Sequence, residues 1–144
     1  DLKLNLDQKE EKEKTEKWFY YFTQLTSKTS GIFHIWEEED LYQLPLAQCS
    51  IQVANPISDG PAELLPKMIF SELTHKEARR EAGLSGIEAY VSRLVEQYNK
   101  TDVFEGVDSQ KLCVGAGETF SESVLRGLQK YLHHLLLSQL TFFY

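Results

Sequence analysis

"LAQCSIQVANP", Leu46 to Pro56, is the cleanest alternation in the chain. Leu46, Gln48, Ser50 and Gln52 interleave with Ala47, Cys49, Ile51 and Val53. Successive side chains of a strand point to opposite faces, so this pattern predicts a half-buried strand with Cys49, Ile51 and Val53 inward. "NPISDGP" (Asn55 to Pro61) ends it with Pro, Asp-Gly and Pro, all strong turn formers. Upstream, "SKTSG" (Ser27 to Gly31) has turn composition. "GIFHIWEEE" from Gly31 is rich in β-branched and aromatic residues and reads as a second strand. Downstream, "KMIF" (Lys67 to Phe70) adds a short one.

Helices flank these strands. "DQKEEKEKTEKWFYYFTQL" opens at Asp7 with Glu10 three residues on, a capping-box spacing. Its charged half carries Glu10–Lys14 and Glu13–Lys17 at i,i+4, which suits a solvated face. Trp18, Phe22 and Leu25 then form an apolar stripe that docks. A second helix starts at Thr74, capped with Glu77, and places Leu84, Ile87, Val91, Leu94, Val95 and Tyr98 at helical spacing. Gly83 and Gly86 each cost about 1 kcal/mol against Ala inside a helix, so close packing on the sheet is expected there. "QKLCVG" (Gln110 to Gly115) reads as a strand. A third helix begins at Thr119 with Glu122, and Val124, Leu128, Leu132, Leu135 and Leu136 make its buried stripe. "SQLTFFY" reads as a returning strand.

The expected fold class is α+β, an antiparallel or mixed sheet with helices packed on one face. The helix starts "THKEARREAG" and "TFSESVLRGL" are alike and lie 45 residues apart (119 − 74), which suggests a repeated strand–helix unit. With 144 residues the chain is long enough for one domain with its own core: a charged helix over 1–28 and an α+β body over 29–144. The aromatic end "LTFFY" and the start without Met suggest a piece of a longer protein.

Composition excludes several classes. A net charge of −7 is the wrong sign for a general nucleic-acid binder or for adsorption to an anionic membrane. No apolar run is long enough to cross a bilayer. Cys49 and Cys113 are too few for a disulfide framework or a zinc site, read as small buried strand residues, and point to a reducing, cytoplasmic setting.

Two places invite chemistry. Glu77, Glu81 and Glu88 fall along one helix face, where carboxylates could hold Mg²⁺ bridging the phosphates of ATP. Arg79, Arg80 and Arg93 stand nearby, and intrahelical pairing on a wet face is the commoner outcome. "GAGETF" puts Gly115 and Gly117 just before the third helix, whose free amides and dipole suit an anion. No Lys-Ser/Thr follows, so a plain turn is favoured over a phosphate loop. His133 and His134 are adjacent and diverge on a helix, so they make no metal pair.

"SELTHKEARREAGLSGIEAYVSRL" and "VGAGETFSESVLRGLQKYLHHLL" resemble the maturation proteins of thiazole-containing bacteriocins and, more distantly, the YcaO-like cyclodehydratases. "GIFHIWEEEDLYQLPLAQCSIQVANPISDGPAELLP" adds to the nearer likeness, which covers roughly 29–136. The resemblance implies a role in forming azole rings from Cys, Ser and Thr of a ribosomal precursor peptide. Active cyclodehydratases of this kind use ATP and Mg²⁺ to activate a backbone amide. Their first helix carries Ser-Ala, then Glu, then Glu-Arg. Aligning Ala82 with that Ala puts Glu81 at Ser, Ser85 at the first Glu, Glu88 at the second and Ala89 at Arg. Only Glu88 keeps its acid. A related placement on the third helix sets Lys130 where an acid is expected. The resemblance therefore implies a degenerate, non-catalytic domain that needs no cofactor and binds the precursor peptide or other maturation subunits. An ATP-dependent cyclodehydratase domain and a homo-oligomerisation module are the alternatives.

Overall fold

Alternating side chains in β2 (Ala47–Val53) build the centre of a three-stranded antiparallel sheet. The computed structural model describes residues 2–38, 44–101, 114–117 and 119–141. The element order is α1 (Leu2–Leu25), β1 (Phe33–Glu37), β2, β3 (Met68–Glu72), α2 (His75–Thr101) and α3 (Phe120–Thr141). The strand order is β1-β2-β3. The fold class is α+β, as the sequence predicts. Two compact units form, one from Asp1–Ala54 with Leu64–Gly83, the other from Asn55–Glu63 with Leu84–Tyr144.

In the first unit Ala47, Cys49, Ile51 and Val53 are buried on one face of β2, three of them as predicted. A register shift in β1 pairs Phe33 with Val53 and then Ile35 with Gln52. This bulge sets one extra residue against β2, so Phe33 and Trp36, three apart, share the buried face. α1 covers that face. The Phe22 ring lies 6.1 Å from Phe33 and 5.5 Å from Trp36, and Phe19 meets Trp36 edge-on at 5.6 Å. The start of α2 lies there too: Trp36 Nε1 donates to the Arg79 carbonyl at 3.0 Å. The Arg79 guanidinium stands 4.4 Å from the Trp36 ring and 5.2 Å from Phe19. Ala78 and Ala82, one turn apart, are fully buried.

Several expectations are corrected. α1 begins at Leu2 rather than Asp7. It is exposed through Lys17 except at Thr15, and it belongs to the same unit as the sheet. The neighbour that Gly83 accommodates is α1, not the sheet. A Cβ at Gly83 would stand 2.5–2.7 Å from the Phe22 ring, where nothing larger than hydrogen fits.

The caps at Thr74 and Thr119 form as read. Their Oγ1 atoms accept from the amides of Glu77 at 3.1 Å and Glu122 at 3.2 Å. The repeat is not supported, because Val114–Gly117 ahead of α3 form no strand. The rest of the expected Gln110–Gly115 strand, with Cys113, lies outside the described residues. α3 continues to Thr141, so the start of the expected "SQLTFFY" strand is helical; 142–144 lie outside the described residues. The α3 stripe is not buried either: Leu128, Leu132 and Leu136 are more than half exposed.

Candidate functional site

The two sequence candidates, the acidic row of α2 and the glycine turn before α3, meet in one contact of the second unit. Glu88 is fully buried. Its Oε1 accepts from the Ala116 amide at 2.9 Å and from Arg126 Nε at 2.7 Å. Its Oε2 accepts from Lys130 Nζ. Arg126 Nη2 also reaches Ser85 Oγ at 3.4 Å. Helical spacing explains the convergence. Ser85 and Glu88 sit three apart on α2, and Arg126 and Lys130 four apart on α3, so each pair shares a face.

Charge balance holds the cluster ionised. Burial pushes the Glu88 carboxyl pKa up, but the hydrogen bonds from Arg126, the Ala116 amide and Lys130 outweigh it and leave the pKa below its ordinary value. Both carboxylate oxygens carry donors already, so binding Mg²⁺ through Glu88 would require breaking contacts with two cations.

Glu77 is exposed and Glu81 half-buried, both in the first unit. Of the neighbouring arginines, Arg79 stacks on the rings of Phe19 and Trp36, while Arg93 makes an intrahelical pair with Glu96 at 3.2 Å. The glycine turn does receive an anion, but it is the protein's own Glu88. A Cβ at Gly115 would clash with the α3 backbone at Ser123 and Gly127, and one at Gly117 would meet the Glu122 side chain at 2.7–2.9 Å. The turn is therefore packed against α3, with an acid beside it.

Arg126 is the residue that sequence reasoning missed. The signal within reach was Lys130, a cation where an acid is expected, with a second cation one turn before it. Cys49 is buried, and that burial, with Glu38 nearby, pushes its thiol up to about 12. Such a thiol is a packing group rather than a nucleophile. Among the described residues there is no group of three or more His, Cys, Asp or Glu placed to hold a metal ion. Nor is any helix among them long and apolar enough to cross a membrane. Comparison with family models, curated proteins and solved structures finds no match to this chain.

Proposed function

We propose that the chain is a non-catalytic domain of a bacteriocin maturation protein. It scaffolds azole formation by holding the precursor peptide or a partner subunit. The observation that carries the reading is Glu88, the one acid kept from the cyclodehydratase pattern. Its carboxylate is enclosed by Arg126, Lys130 and the Ala116 amide instead of facing a nucleotide. A second feature gives the peptide a place. Among the described residues no strand pairs with the outer edge of β3, and Ile69 on that strand is 52 % exposed. An open edge accepts an extended peptide by strand addition, with main-chain hydrogen bonds supplying affinity.

Two titrations test this. A fluorescent Cys/Ser-rich precursor peptide with its leader is expected to bind the full chain, and N-methylation of its backbone is expected to abolish binding. Thermal melting with Mg-ATP is expected to show no shift. A ligand at a hundred times its Kd stabilises by about 2.7 kcal/mol. A Mg-ATP shift of that size without peptide binding would replace this reading with the ATP-dependent enzyme.

A further inference from the structure

We draw no further inference here: the strongest candidate, the exposed leucine face of α3 formed by Leu125, Leu128, Leu132 and Leu136, is an unpartnered apolar face, and nothing in the structure shows what covers it.

Discussion

Replacing Glu88 by Gln removes one charge at constant shape and leaves Arg126 and Lys130 facing an amide. The two cations are affected differently. Arg126 is only 15 % exposed, so losing its partner resembles breaking a buried ion pair, which costs about 3–5 kcal/mol. Lys130 is 45 % exposed and can turn to water, so its share is about 0.5 kcal/mol. The Gln carbonyl still accepts from Ala116 and Arg126, which places the total near the low end, about 3 kcal/mol. With about 2.1 cal/mol/K of unfolding entropy per residue, that is about 10 °C in Tm for a chain of this length. Lys130→Met leaves Oε2 of the buried carboxylate without that donor, and a cost of about 1–3 kcal/mol is expected. Urea unfolding and differential scanning calorimetry measure both.

The pH profile gives an independent arm. The Glu88 pKa is depressed in the folded chain, so its stabilisation is complete above the ordinary value of 4.5 and is lost as pH falls through the lower folded value. Wild type is expected to lose its advantage over Glu88→Gln on that acid limb. A Glu88→Gln variant within about 0.5 kcal/mol of wild type at pH 7 would refute the enclosed cluster.

Three further outcomes follow from the first unit. Gly83→Ala is expected to destabilise by about 1–2 kcal/mol in urea, because displacing the Phe22 ring outweighs the gain of about 1 kcal/mol in helix propensity. Trp36→Phe keeps a ring but loses the bond from Nε1 to the Arg79 carbonyl; a cost of about 1 kcal/mol is expected from the same assay. The Cys49 thiol is raised from 9.0 to about 12, so its contribution is complete below pH 9.0 and is lost as pH rises towards 12. Alkaline unfolding midpoints of wild type and Cys49→Ala are expected to converge across that window.

The elements that local chemistry dictates were legible in the residues. β2 follows from alternation at Ala47–Val53, and the starts of α2 and α3 follow from Thr74 and Thr119, whose hydroxyls cap the amides three residues on. The start of the chain's end was misread because a short apolar run such as "SQLTFFY" has no period of its own, and the preceding helix carries on to Thr141. The bulge in β1 was hidden for a related reason. "FHIW" alternates poorly, and only pairing with β2 makes Phe33 and Trp36 neighbours on one face.

The candidate site was half legible. Glu88 and the turn at Gly115–Gly117 were both singled out, but as separate sites for a bound metal and a bound anion. Their union depends on partners 28, 38 and 42 residues from Glu88, and no local spacing encodes such contacts. The α3 leucines show the reverse limit. Helical spacing fixes that they share a face, but not whether the domain or another molecule covers it.

The central claim is that the Glu88 carboxylate belongs to the domain's own interior and not to a magnesium-bound nucleotide. Carbon-detected NMR of the Glu88 carboxyl during titration with Mg-ATP measures it directly. An unmoved resonance that titrates below the ordinary carboxylate range is predicted. A saturable shift with added Mg-ATP would contradict the claim.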